Sequence, residues 1–113
     1  MPDARSSNPP EPASGPTLPF VSLAKVLGEP LRWEILRELA SGDRLMVVEI
    51  AKGVGKPADT VSKHLAVLRK VGLAVVKQRL YSMPPEFLAD PEKRVLDLGY
   101  CVLRLDSLPG GSR

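Results

Sequence analysis

The stretch PADTVSKHLAVLRKVGL, residues 57–73, decides how the rest of the chain is read. Val61, Leu65 and Leu68 recur at i, i+4 and i+7, so they share one face of a helix. Thr60, Ser62, Lys63, Ala66 and Arg69 lie off that stripe, a short polar and basic surface with little bulk. Gly72 stops the helix, because glycine takes the left-handed conformation that a C-terminal cap often needs. A short helix with small hydrogen-bonding groups near its start, and positive charge close by, suits insertion into a DNA major groove. The same pattern also describes a surface helix of many small domains, so the neighbouring segments have to decide.

Upstream, MVVEIAKGV (46–54) sets Val47, Ile50, Ala51 and Val54 at i, i+3, i+4 and i+7 of a third helix. Gly55 closes it and Lys56-Pro57 turns the chain into the fourth, which makes a helix-turn-helix. A second helix starts at Pro30 and buries Leu31, Ile35, Leu36 and Leu39, until Ser41-Gly42-Asp43 breaks it. The first runs from Leu18 to Leu27 between Thr17 and Gly28, with Phe20, Leu23, Ala24 and Leu27 as its apolar stripe.

Downstream, Leu73 to about Met83 reads as a strand that begins a wing, with no glycine-centred turn inside it. Pro84-Pro85 interrupts it, and PEFLADPEKR reads as a loop with at most one helical turn. In RVLDLGYCVLRLD (94–106) the apolar residues fall at 96, 98, 100 and 102, then at 103 and 105. That phase change predicts a bulge or kink near Gly99 in a single strand. Val95–Leu105 is therefore the expected partner strand of the wing. The predicted fold is mainly α with a small β wing: a winged helix-turn-helix of four helices and a C-terminal hairpin. The chain divides into a disordered arm (1–17), a core (18–83), a wing loop with the C-terminal strand (84–106) and a flexible tail (107–113).

Composition narrows the function. No apolar run approaches the roughly 18 residues of a membrane span. No apolar leader opens the chain, so a cytoplasmic protein is expected. The single cysteine, Cys101, excludes an internal disulfide and a multi-cysteine metal cage. Paired His, Cys or carboxylate groups at catalytic spacing are missing, as is a phosphate loop, so an enzyme is not expected. Net charge is +3 overall, yet residues 18–83 hold eleven basic and six acidic side chains. Between Lys56 and Arg79 there are six basic residues and one acid, Asp59, as a phosphate-binding surface requires.

Ala58, Asp59 and Thr60 occupy the first turn of the recognition helix, with Ser62 and Lys63 just after. Thr60 and Ser62 can bond to phosphates or base edges, and Ala58 can meet a thymine methyl. Asp59 either accepts from a cytosine amino group or favours the positive end of the helix dipole, the second being the stronger reading. Lys56, Lys63, Arg69, Lys70, Lys77 and Arg79 are the candidate phosphate contacts. His64, beside the apolar stripe, is included in this surface, although a lone histidine there is more often packed and hydrogen-bonded. Trp33 reads as a packed residue. Cys101 reads as a small apolar residue, with a thiol-responsive role as the alternative.

With these elements in place, the chain resembles the ArsR family of bacterial winged-helix repressors over about Leu23 to Met83. LAKVLGEPLRWEIL (23–36), VVEIAKGVG (47–55) and TVSKHLAVLRKVGL (60–73) carry the resemblance, the last through T-V-S-x-H-L-x-x-L-x-x-x-G-L. It implies a dimeric, ligand-released transcriptional repressor on double-stranded DNA. Metal-sensing members carry a cysteine pair in the third helix, where this chain has Leu45, Met46, Val47 and Val48. With one histidine and a strand-like C-terminus, the family's other zinc site is lacking as well, so no metal or cofactor is expected and the effector is open. Pro57 replaces the polar N-cap of many relatives. The expected homodimer uses helix one and the C-terminal segment, with Cys101 near the axis. A protein-interaction winged helix without DNA binding is the alternative, which the basic cluster disfavours.

Overall fold

The apolar stripes at helical spacing fold as four helices: α1 Phe20–Val26, α2 Pro30–Leu39, α3 Val47–Val54 and α4 Ala58–Val71. The structure is a computed structural model that describes residues 17–109. The arm expected over 1–17 (Thr17 apart) and residues 110–113 of the expected tail lie outside the described residues. Pro30 sits in the first turn of α2, where its missing N–H costs nothing. At the start of α3 the Glu49 carboxylate accepts the Met46 N–H at 2.7 Å, satisfying a donor that the helix itself leaves free. Gly55 and Gly72 end α3 and α4 with φ of 69° and 98°, a region in which a side chain would be strained.

α4 packs on α3, α2 and α1, and α3 on α2. Ile35, Leu36, Leu39, Ile50, Val61, Leu65 and Leu68 are completely buried at the junction. Among the described residues every buried side chain is apolar. α1 departs from expectation. It buries Leu23 and Val26, with Leu18 ahead of them, and leaves Phe20 and Ala24 outside. Two turns of helix can press only one narrow edge on α4, and the i, i+3 pair fills it.

The wing also differs from the reading of the sequence. Residues 73–83 are not one strand awaiting a distant partner but a hairpin of β1 Val75–Lys77 and β2 Leu80–Ser82, paired Val76 to Tyr81. Its two-residue turn, Gln78-Arg79, has φ of 54° and 69°. A right-twisted hairpin favours such a turn, for which Asn-Gly is the usual sequence signal. Leu45 joins the other side of β2 through two backbone hydrogen bonds with Tyr81, of 2.8 and 2.7 Å, and so anchors the wing to the entrance of α3.

Residues 84–106 form a second, three-stranded antiparallel sheet: β3 Leu88–Asp90, β4 Val95–Asp97 and β5 Val102–Arg104. The stretch expected as a loop thus supplies β3, after a 3-10 turn at Pro85–Phe87. The phase change near Gly99 is a reversal, not a bulge. Leu98 N–H donates to the Cys101 carbonyl at 2.9 Å, and Gly99 takes φ of 90° inside the turn. The four-residue reversal lets Leu96 on β4 and Leu98 just after it, and Leu103 on β5 and Leu105 just after it, reach the same core. A further 3-10 turn, Leu105–Ser107, lies on α2 and Leu108 packs on the core, so packing continues into the segment expected as tail. Arg94 ties this sheet to the end of α2 by donating to the Arg37 carbonyl at 3.3 Å.

Arg79 in a left-handed conformation costs roughly 1–2 kcal/mol, part of which glycine would return as unfolded-chain entropy. Arg79→Gly should therefore stabilise the fold by about 0.5–1 kcal/mol in urea melts. Leu96→Ala, in the completely buried part of β4, should cost about 2–5 kcal/mol. A neutral Leu96→Ala would show that the C-terminal sheet is not part of the core.

Candidate nucleic-acid interface

Burial of Val61, Leu65 and Leu68 fixes the rotation of α4 about its axis. Asp59, Ser62, Lys63, Ala66, Arg69 and Lys70 are then the residues left exposed on it. At about 100° per residue they span an arc of only about 120°. Ala66 lies at the middle of the arc with Asp59 and Ser62 on either side of it in angle, while Arg69 lies at one edge and Lys70 and Lys63 toward the other. The face is thus low at its centre and positive at its margins, with its one acid, Asp59, in the first turn. Sequence reading set Ala66 on this surface but not among the candidate contacts, and its spacing of four from Ser62 and three from Lys63 is the signal that places it here.

Other expected residues occupy different surroundings. Ala58 packs against the core and Thr60 is half-buried, so neither belongs to the open arc. Lys56 is exposed in the Gly55–Pro57 turn between α3 and α4. Lys77 is exposed at the end of β1, and Arg79 is exposed in the wing turn. Pro57 is the N-cap of α4 and offers no side-chain acceptor, so the amides of its first turn keep their hydrogens free for an external anion. Asp59 in that turn suits the positive end of the helix dipole.

His64 is turned inward from the arc. Its Nδ1 accepts from Arg32 Nε at 3.1 Å. Arg32 also donates to the Val26 carbonyl at 3.4 Å, so one guanidinium joins α1, α2 and α4. Trp33 is half-buried and donates from Nε1 to the Leu27 carbonyl at 2.8 Å. Both residues therefore hold the helices in place. Among the described residues no three His, Cys, Asp or Glu side chains gather into a possible metal site. Nor is any described helix long and apolar enough to cross a membrane.

Residues 27–77, from the end of α1 to the end of β1, match a protein family described as a helix-turn-helix domain. The chain is 40% identical over 55 residues to an uncharacterized HTH-type transcriptional regulator of Methanocaldococcus jannaschii. The alignment covers 49% of this chain and 60% of that protein, less than two thirds of its length. No solved structure matches.

Cys101 is half-buried at the β4–β5 turn, beside Tyr100, whose hydroxyl donates to the Leu18 carbonyl at 2.8 Å. Desolvation, with the Asp97 carboxylate nearby, pushes the thiol above its ordinary value. A raised value means less thiolate at neutral pH, hence slower attack on an electrophile. Alkylation by iodoacetamide at pH 7 should be slower than that of a free cysteine and should rise only at more alkaline pH. Asp97→Asn should speed it. An unmodified protein alkylated as fast as free cysteine would contradict this.

Proposed function

We propose that the chain is a sequence-specific, double-stranded-DNA-binding transcriptional repressor of the ArsR type, cytoplasmic and dimeric. The observation that carries the reading is the exposed arc of α4, small at its centre and basic at its edges, on a helix-turn-helix. Ser62 and Ala66 have too little bulk to hold the helix away from base edges in the major groove. Lys63, Arg69 and Lys70 then reach phosphates on either side, with Lys56 in the turn. Lys77 and Arg79 extend the same contact to the backbone beyond the wing. Asp59 serves the helix dipole, and Ala58, Thr60 and His64 position the helix.

Two alternatives fare worse. A protein-interaction winged helix has no use for this basic margin. A thiol-responsive regulator needs an accessible thiolate, whereas the surroundings of Cys101 keep its thiol protonated.

One such helix touches too few bases to select a genomic site, and a two-fold dimer on an inverted repeat doubles the contacts. The surface available for it joins α1 to the β4–β5 turn: Phe20 is 59% exposed, Val21 64%, Tyr100 44% and Val102 56%. The Phe20 and Tyr100 rings lie 5.2 Å apart and hold this apolar patch together.

A salt titration on labelled duplex tests the reading. Lys63→Ala and Arg69→Ala should each weaken binding to all sequences and lower the salt slope by about one unit. Val102→Glu should sediment as a monomer and lose the preference for an inverted repeat. Wild-type affinity and slope in both charge variants would mean that α4 does not face DNA.

A further inference from the structure

We propose that the cleft between the wing and the first turn of α3 is an effector site for an amphipathic organic anion, and that its occupation releases DNA. The second half rests on the DNA-binding reading above; the first does not. The cleft is lined by Val47 and Val48 from α3, Arg69 from α4, and Val76, Arg79 and Tyr81 from the wing. Its volume of about 460 Å³ falls in the range of small-molecule sites, roughly 300–1,000 Å³.

Three observations fix the chemistry of the occupant. The first is apolar surface left in water in the lining itself: Val48 is 59% exposed. A phosphate alone would gain nothing from Val47, Val48 and Val76, so the ligand carries an apolar body. The second is charge. The lining holds two guanidiniums and no carboxylate, which selects an anionic head such as a carboxylate. Arg32 and Arg94 donate to groups of the protein itself, whereas Arg69 and Arg79 are exposed.

The third is backbone strain. Gln78 and Arg79 both hold positive φ, which glycine would adopt freely at either position. The chain bears this cost at a residue that lines the cleft, an arrangement expected where a side chain serves a ligand. The coupling to DNA follows from shared groups. Arg69 belongs to the exposed arc of α4 and Arg79 to the wing, so an anionic head that engages them removes two proposed phosphate contacts. Tyr81, on the cleft wall, is also the residue through which Leu45 anchors the wing. Ligand and DNA therefore oppose each other reciprocally.

The test begins without DNA. The full chain, labelled at its valine methyls, is titrated with decanoate, with decanol, and with inorganic phosphate at matched ionic strength. Saturable shifts centred on Val47, Val48 and Val76 are expected with decanoate. Decanol should bind at least about tenfold more weakly, and phosphate should leave these methyls in place. Arg69→Gln combined with Arg79→Gln should weaken decanoate about tenfold or more, and Val48→Ser, at an exposed position that spares the core, should weaken it too. Absence of a saturable shift overturns the site, as does a phosphate response equal to that of decanoate, which would make the cleft a seat for the DNA backbone alone. In the second arm decanoate, and not phosphate, should displace labelled duplex from the wild type. Decanoate binding by a protein that binds no duplex would overturn the DNA-binding reading and the release of DNA, but not the site. Duplex binding unaffected by saturating decanoate would overturn release alone.

Discussion

The apolar contact of Val61, Leu65 and Leu68 with the core is the constraint on which the rest depends. Each of these side chains contributes roughly 1.5–3 kcal/mol by leaving water, so the helix cannot turn about its axis without giving up several. Slipping α4 by one residue would rotate it by about 100°, burying part of the basic arc and exposing leucine. That rotational lock makes Ser62 and Ala66 the summit of the exposed face. The Arg32–His64 hydrogen bond acts in the same sense, holding α4 to α2 from its inner side.

Among the described residues the buried side chains are all apolar, so the polar and charged groups lie at or near the surface. The molecule's means there are positive charge, small polar groups and a few exposed apolar side chains. Those apolar side chains fall into two groups on different elements: Phe20, Val21, Tyr100 and Val102 around α1, and Met46, Val48 and Val75 beside the wing. The first is the proposed seat of a partner copy, and Val48 of the second lines the proposed ligand cleft. Their separation would let assembly and effector binding act on DNA affinity independently.

The helices and the helix-turn-helix were legible in the sequence because their apolar spacing, glycine stops and Pro30 are local signals. The bases of the exposed arc were legible for the same reason. The wing was not, since Gln78-Arg79 carries none of the Asn or Gly content by which a tight hairpin turn is recognised. In RVLDLGYCVLRLD the change of phase at Gly99 was visible, but a bulge and a four-residue reversal shift the pattern alike. The antiparallel pairing of β4 with β5 decides between them, and β3, from a segment with weak strand signals, completes the sheet on the other side of β4. The inward placement of Ala58, Thr60 and His64 depends on packing with α2 and the core, which periodicity within α4 alone does not contain. The cleft by the wing was illegible because its walls come from three separate stretches of chain.

The central claim, that the arc of α4 enters the major groove with the wing beside it, is tested most directly by tethered cleavage. An iron chelate attached at Ser62→Cys in a Cys101→Ser background generates radicals that cut DNA within reach of that position. The account predicts strand cuts offset in the sense expected of a major-groove source, and cuts from a Gln78→Cys tether in the adjoining minor groove. Cleavage from a Val102→Cys tether with none from Ser62→Cys, on the same bound duplex, would contradict it.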